Sequence, residues 1–324
     1  MMMIQVTKPA GFGNVVLEEV PIPECGPRDV LVKNKVSLIS RGSEILRRYM
    51  HEEAIDPAIM GYSVGGVVAA VGEEAAERFQ PGDRVVATAP HAQYVIQDID
   101  RMDGSRIWPI PDDISFEQAA FLPLTSEALS WSLMPDIQPH DTIVILGQGL
   151  IGNLVLQSVR LQLCRRVITV DAIEKRCTLS QSFGADMTIH AKEDDPVAVV
   201  SELTDGQGAN IVIDCVGGKA GLTSFAQAQD MLAYGGTLLL VGMYHGGPLP
   251  LDSAKIHRRR LIAGFFNVAP RGVMLDRAIN TLQRGQIRTE PLISHRFPFQ
   301  QAKEAYDMLY ERLSEAMVVL LTWE

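Results

Sequence analysis

Cysteine is scarce and scattered. Cys25, Cys164, Cys177 and Cys215 are the only four and form no C-x-x-C pair, so no disulfide framework is implied and a reducing, cytoplasmic compartment is the expectation. Positive charge is also short: the formal net charge of −10 argues against nucleic acid or an anionic membrane as the main partner, since both need a basic footprint. Arg258-Arg-Arg260 is the only compact basic run, and it reads as a solvated loop or a subunit contact. No apolar run reaches the roughly 20 residues of a membrane span. The start, Met1-Met-Met-Ile-Gln-Val-Thr-Lys8, lacks the charged region and apolar core of a signal peptide. Internal repeats and low-complexity segments are missing too. With 47% hydrophobic and 21% charged residues the composition is that of a folded soluble protein, and 324 residues predict two domains.

The densest signal is Thr142-Ile-Val-Ile-Leu146 running into Gly147-Gln-Gly149-Leu-Ile-Gly152. The β-branched and aliphatic run reads as a buried parallel strand, and the glycines have the G-x-G-x-x-G spacing. Leu150, Ile151, Leu154, Val155 and Val159 then recur at helical spacing. Gly147 permits a tight turn, Gly149 lets the backbone approach a pyrophosphate, and Gly152 lets helix and strand pack closely. The helix N-terminus, at Leu150 and Ile151, offers free N–H groups to phosphate. A second strand, Arg166-Val-Ile-Thr-Val170, ends in Asp171, about 20 residues on, where a carboxylate accepts the adenosine ribose hydroxyls. That acid repels a 2′-phosphate and favours NAD; Lys175 and Arg176 follow closely, which keeps NADP as the competing form.

The N-terminal third has a different texture. Val15–Val20 and Val30–Val36 read as strands around the proline-rich connector Pro21–Pro27, and Ser43–Tyr49 reads as a short helix capped by Ser43. Gly61–Gly72 is a glycine-punctuated strand, and Phe79–Ala87 is a turn into another. A β-rich start before an α/β middle makes the N-terminal part its own domain.

Val30-Leu-Val-Lys33, Gly66-Val-Val-Ala-Ala-Val-Gly72 and Pro81-Gly-Asp-Arg-Val-Val86, followed by the glycine fingerprint, resemble the medium-chain dehydrogenase/reductase superfamily of zinc alcohol dehydrogenases and quinone oxidoreductases. Phe183-Gly-Ala-Asp186, Ile211–Gly217, Gly235–Gly242 and Leu292–Phe299 extend the likeness nearly end to end. The resemblance implies an α/β chain in two parts. One is a GroES-like β-rich catalytic domain over 1–124 and 270–324; the other is a Rossmann doubly wound parallel sheet over 125–269. It also implies that Cys215, Val216, Gly217, Val241, Gly242 and Met243 line the nicotinamide half of the cofactor, with Phe265-Phe266-Asn267 beside them. Late strands within Gly236–Gly242 and Arg260–Phe266 imply a homodimer joined along a sheet edge.

The departures from the family bear on the chemistry. Zinc alcohol dehydrogenases carry a cysteine and an aspartate shortly after the strand matching Val30–Val36, and Gly-His-Glu where this chain has Gly61-Tyr62-Ser63. Here the first segment is Ile39-Ser40-Arg41-Gly42-Ser43-Glu44. Tetrahedral catalytic zinc needs three ligands from Cys, His or carboxylate, and Glu44 alone qualifies. The four-cysteine lobe of a structural zinc is missing as well, because Gly82–Val95 runs directly into the next strand. No zinc is expected at either site. Ser40–Glu44, with Gly61-Tyr62 and Pro90-His91-Ala92, resembles a zinc-lacking subgroup that includes bacteriochlorophyllide a dehydrogenase-like proteins.

Hydride transfer at a carbonyl carbon without a Lewis acid needs a proton carrier at the oxygen. Tyr62, His91 and Glu44 are the candidates. Tyr62 either donates from a phenol with a reference pKa of about 10 or simply walls the site. His91 either titrates near neutrality or is a hydrogen-bonded edge residue. Glu44 is a base, a binder of substrate hydroxyls, a partner for Arg41, or a first-turn acid favouring the helix dipole. Arg41, Ser43, Glu127 and Phe266 are the candidate substrate contacts, with Ser126 competing for the place of Glu127; His295 reads as structural. The leading expectation is a zinc-independent, NAD-dependent dehydrogenase of a secondary hydroxyl, or of the matching ketone, on a polyol, sugar-like or secondary-metabolite substrate. An NAD(P)H-dependent enoyl or quinone reductase, and a nucleotide-binding protein without catalysis, are the competing readings.

Overall fold

Alternating burial turns the N-terminal part of the chain into strands. β1 (Met2–Thr7) and β2 (Val16–Pro21) form an antiparallel pair. β3 (Asp29–Leu38), β4 (Ser63–Val71), β5 (Arg84–Ala87), β6 (Tyr94–Asp98) and β7 (Ile107–Pro109) belong to a larger sheet. Val30, Val32, Asn34, Val36 and Leu38 point to the buried face of β3 while the residues between them are mostly less buried, the period of two that a pleated strand imposes. The computed structural model describes residues 1–55, 59–99, 107–244, 247–263 and 268–324.

Between β3 and β4 lies a helical segment, Arg41–Tyr49, wound with wide i→i+5 turns. Its cap is Ser40 and not Ser43, which corrects the expectation from sequence: Ser40 Oγ accepts the Ser43 N–H at 3.5 Å, and Glu44 Oε1 reaches back to the Ser40 N–H at 2.7 Å. This is a reciprocal capping arrangement. The wide first turn places the acid four residues after the cap, one beyond the usual spacing, which hid it from pattern reading.

Helix α1 (Phe116–Leu133) precedes a strict alternation of strand and helix. β8 (Thr142–Leu146), α2 (Leu150–Val159), β9 (Arg166–Asp171), α3 (Glu174–Ser182), β10 (Met187–His190), α4 (Pro196–Leu203), β11 (Ala209–Asp214), α5 (Gly221–Met231), β12 (Leu232–Leu240), α6 (Ser253–Ile256) and β13 (Arg260–Ala263) follow in turn. The six strands are all parallel, in the order β10-β9-β8-β11-β12-β13. Every residue of β8 is buried, which is why its sequence is an unbroken apolar run. The chain winds from β8 outward to β10, then returns to β11 and winds the other way. The carboxyl end of β8 is therefore the point where the winding reverses, and open parallel sheets bind ligands there.

Helix α7 (Arg271–Gln283), β14 (Ile293–Pro298), α8 (Ala302–Glu311) and β15 (Val318–Thr322) complete the first sheet, whose order is β14-β15-β3-β4-β5-β7 with β6 beside β3. β3 has β4 along one edge; on the other, Asp29–Lys33 pairs with β6 and Val36–Leu38 pairs with β15. Ala302, Ala305, Tyr306 and Leu309 form one stripe of α8 and pack with Ile39, Ile45, Tyr49, Leu321 and Trp323. Each large side chain so buried contributes about 1.5–3 kcal/mol. By contacts the chain divides into one unit of Met1–Thr125 with Arg271–Glu324 and a second of Ser126–Pro270. Among the described residues no helix is long and apolar enough to cross a membrane.

Candidate functional site

In the second unit, four strand ends meet. Gly147 leaves β8 with φ +83°, a conformation glycine adopts without strain. Gly152 sits so close beneath the turn that a Cβ there would lie 1.7 Å from Gly147 O. Gly149 caps α2 with no side-chain hydrogen bond, and a Cβ on it would meet only Arg176 Nη1, at 3.9 Å. The first turn of α2, at Leu150 and Ile151, thus has its N–H groups beside an open glycine, the geometry that receives phosphate. Asp171 ends β9: Oδ2 accepts the Gln148 N–H at 2.7 Å and Oδ1 the Ile173 N–H at 2.9 Å. Each oxygen keeps a second acceptor site for a ribose hydroxyl. Arg176 Nη1 stands 3.8 Å from Asp171 Oδ2, a cation beside both the acid and the glycine turn.

The ends of β11 and β12 are tied to this turn through Val216. Its Cγ2 would lie 2.7 Å from a Cβ on Gly147, and its carbonyl oxygen 2.4 Å from one on Gly242. Asp214, 1% exposed, holds both segments: its carbonyl accepts the N–H groups of Val241 and Gly242 at 2.9 and 2.8 Å, and its Oδ1 accepts from Val216 N at 3.1 Å and Ser224 Oγ at 2.7 Å. Burial pushes its carboxyl up to about 6, against the opposing pull of the Ser224 and Val216 hydrogen bonds. Cys215, Val216, Gly217, Val241, Gly242 and Met243 therefore stand at the same carboxyl edge as Gly147, Gly149 and Asp171. These residues fit a nicotinamide dinucleotide, and the open backbone at Gly149 is the cradle that a side chain would fill. Sequence reading missed Asp214, whose only signal is an acid closing an apolar strand.

In the first unit the structure brings Glu44 and His91 together in the interior. His91 is 0% and Glu44 1% exposed, with His91 Nε2 3.0 Å from Glu44 Oε2 and His91 Nδ1 2.7 Å from Ser37 Oγ. Trp323 Nε1 donates to Ser37 Oγ at 2.8 Å, and Tyr306 Oη donates to Glu44 Oε2. Burial, with Glu44 beside it, pushes the Tyr306 phenol well above its usual range and keeps it a donor. Both ring nitrogens of His91 and both oxygens of Glu44 have hydrogen-bond partners inside the protein.

Tyr62 is partly exposed, immediately before β4. Gly61 before it has φ +133°, and a Cβ there would lie 2.2 Å from His91 N. Arg41 is partly buried, with Nη1 on Leu309 O at 3.2 Å. The hydroxyl of Ser43 is buried without a hydrogen-bond partner, as is that of Ser63. Glu127 and Ser126 lie in α1, Ser126 buried and Glu127 partly so. Phe266, with Phe265 and Asn267, lies outside the described residues.

Zinc does not fit this donor set. The two segments offer Ser40, Ser43, Tyr62 and Ser63, hydroxyls where thiolate, imidazole or carboxylate is needed, and Glu44 is already committed. Among the described residues no group of three or more His, Cys, Asp and Glu could hold a metal ion.

A β-rich unit and a doubly wound parallel sheet with a glycine turn at its switch point, carried on one chain, define a dinucleotide-linked oxidoreductase fold. Residues 26–105 match the alcohol dehydrogenase GroES-like domain and residues 151–282 the zinc-binding dehydrogenase family. Sorbitol dehydrogenase of Mus musculus is 27% identical, over 92% of this chain and 90% of its own. D-xylulose reductase of Morganella morganii is 27% identical over 79% and 81%. The solved alcohol dehydrogenase of Thermus sp. ATN1 superimposes with a TM-score of 0.84 at 23% identity, over 99% of both chains. The chain belongs to the zinc-type medium-chain dehydrogenase/reductase superfamily and is an oxidoreductase.

Proposed function

We propose that this protein is an NAD-linked, zinc-independent dehydrogenase of a secondary hydroxyl on a polyol or sugar-like substrate, running in either direction between alcohol and ketone. The observation that carries the zinc-free part is the donor set: hydroxyls at Ser40, Ser43, Tyr62 and Ser63, with the one nearby carboxylate, Glu44, bonded to Ser40, His91 and Tyr306. The polyol class rests on the likeness to sorbitol dehydrogenase and D-xylulose reductase along most of the chain. Within the superfamily we place the chain near the zinc-lacking, bacteriochlorophyllide a dehydrogenase-like subgroup, on the Ser40–Glu44 and Gly61-Tyr62 segments.

Bound NAD supplies the acceptor for a hydride leaving the carbinol carbon. The protein's share is binding and proton handling. Gly147, Gly149 and the first turn of α2 cradle the diphosphate, and Asp171 accepts the ribose hydroxyls. Tyr62 gives its phenolic proton to the carbonyl oxygen in reduction and takes it back in oxidation. Ser43, whose hydroxyl has an unused donor, and Arg41 orient the substrate. We assign Glu127 a position beside the nicotinamide, and we take a homodimer as the working assembly.

The test is nicotinamide absorbance in both directions: NAD or NADP with pooled polyols, sugars and secondary alcohols, and NADH or NADPH with ketones, enones and quinones. Turnover of a hydroxyl pool with NAD, undiminished by a chelator, is the expected result. Turnover restricted to NADPH and conjugated acceptors, or abolished by the chelator and restored by zinc, would overturn the proposal.

A further inference from the structure

Trp323, Ser37, His91, Glu44 and Tyr306 form a buried chain of hydrogen bonds whose donors can be assigned from Trp323 onward. An indole N–H only donates, so Trp323 gives its hydrogen to Ser37 Oγ at 2.8 Å. Ser37 then directs its own hydrogen to its other side-chain partner, His91 Nδ1, at 2.7 Å. With Nδ1 accepting, Nε2 carries the imidazole hydrogen and donates to Glu44 Oε2 at 3.0 Å. Glu44 only accepts: Oε2 takes the Tyr306 hydroxyl as well, and Oε1 takes the Ser40 N–H at 2.7 Å. This chain of bonds gives every side chain of the set a hydrogen-bond partner, which is the condition for a buried polar network to rigidify its surroundings.

The backbone of His91 is fixed just as closely. Its N–H donates to Met60 O at 2.7 Å, its carbonyl accepts the Val6 N–H at 2.8 Å, and Gly61 lies against Pro90 and His91 with no room for a side chain. His91 thus has its ring on Glu44, one turn into the Arg41–Tyr49 helix, and its main chain on the residues just before Tyr62.

We propose that His91 and Glu44 are positioning residues, a hydrogen-bonded clamp that fixes the segment bearing Arg41 and Ser43 against the segment bearing Tyr62. The clamp rests on the assignment of Tyr62 as the proton carrier for its catalytic consequence, though not for its mechanical one. In zinc relatives these same two segments hold the ligand positions. Here side chains do the tying, and their partners come from β3, α8 and the residue after β15.

Two readouts on the full-length protein test the clamp. Amide hydrogen exchange in His91→Leu is expected to speed up about tenfold or more in both 38–49 and 59–63, with β8–β13 unchanged and NAD affinity, followed by fluorescence, within about twofold of wild type. His91→Gln, whose amide can still donate to Glu44, is expected to restore most of the protection. Should His91→Leu fail to fold, Glu44→Gln serves: it keeps the shape, removes the acceptor for the imidazole N–H, and is expected to loosen the same two segments. In turnover with a hydroxyl substrate, kcat falls in His91→Leu, recovers in His91→Gln, and its pH profile keeps the wild-type limbs. Exchange confined to the residues flanking His91, or a displaced pH limb that His91→Gln does not rescue, would overturn the clamp. If no hydroxyl substrate is turned over at all, the functional proposal fails while the exchange measurement still decides the clamp.

Discussion

Asp171 Oδ2 accepts the backbone N–H of Gln148 at 2.7 Å, across 23 positions of sequence. The acid assigned to the ribose therefore also anchors the middle of the glycine turn, so its replacement acts on the cofactor site twice.

Asp171→Ser is expected to lower kcat/KM for NAD about 10- to 100-fold, the loss of hydrogen bonds to a charged acceptor. The value for NADP should fall less, since the repulsion of its 2′-phosphate goes too. Parallel kinetics with both cofactors check this; an unchanged ratio removes Asp171 from the specificity role.

Gly149 and Gly152 separate ligand approach from packing. Gly149→Ala meets nothing nearer than Arg176 Nη1 at 3.9 Å, so its Tm should stay within a degree or two of wild type while NAD titration shows weaker binding. Gly152→Ala drives a methyl into Gly147 O and should destabilise by about 2 kcal/mol or more, visible as a lower Tm before any cofactor is added.

Asp214 gives the fold a pH dependence with a definite sign. Its folded value of about 6 against an ordinary 3.8 means that the folded state holds the proton more tightly. The stabilisation is complete below about pH 4 and is lost as pH rises through about 6. The difference corresponds to about 3 kcal/mol. Asp214→Asn cannot ionise, so the wild-type Tm should fall relative to the variant by about 5 °C or more between pH 4 and pH 7. Parallel melting curves that show a constant difference would contradict the assignment.

Tyr62→Phe is expected to lower kcat about 100-fold with NAD affinity and Tm unchanged, as stopped-flow and titration would show. Retained kcat would make Tyr62 a wall residue.

The parallel-sheet unit was legible in the sequence because its determinants are local. Strand, glycines, helix and acid follow one another within one βαβ stretch, and Gly147 and Gly152 have conformational and steric reasons in the folded chain. The surroundings of Glu44 and His91 were not legible. Their bond spans 47 positions, and the Trp323 to Ser37 bond spans 286, so no periodicity or spacing rule could bring them together. A histidine and a glutamate read as candidate proton carriers because sequence shows titratable groups and hides their burial. Ser40 as the helix cap was missed because the wide helical turn moved Glu44 out of the familiar spacing.

The shared edge of β3 bears on how the chain is made. Its first half pairs with β6, which emerges from the ribosome soon after, but Val36–Leu38 waits for Val318–Thr322. At 5–20 residues per second, that is about 15–55 s of synthesis. The parallel sheet of β8–β13, encoded without interruption, can close in that interval, whereas the first sheet keeps three hydrogen-bonding residues open to any other strand. Truncating translation before β15 should therefore yield nascent chains with a folded nucleotide-binding unit and an aggregation-prone edge at Val36–Leu38.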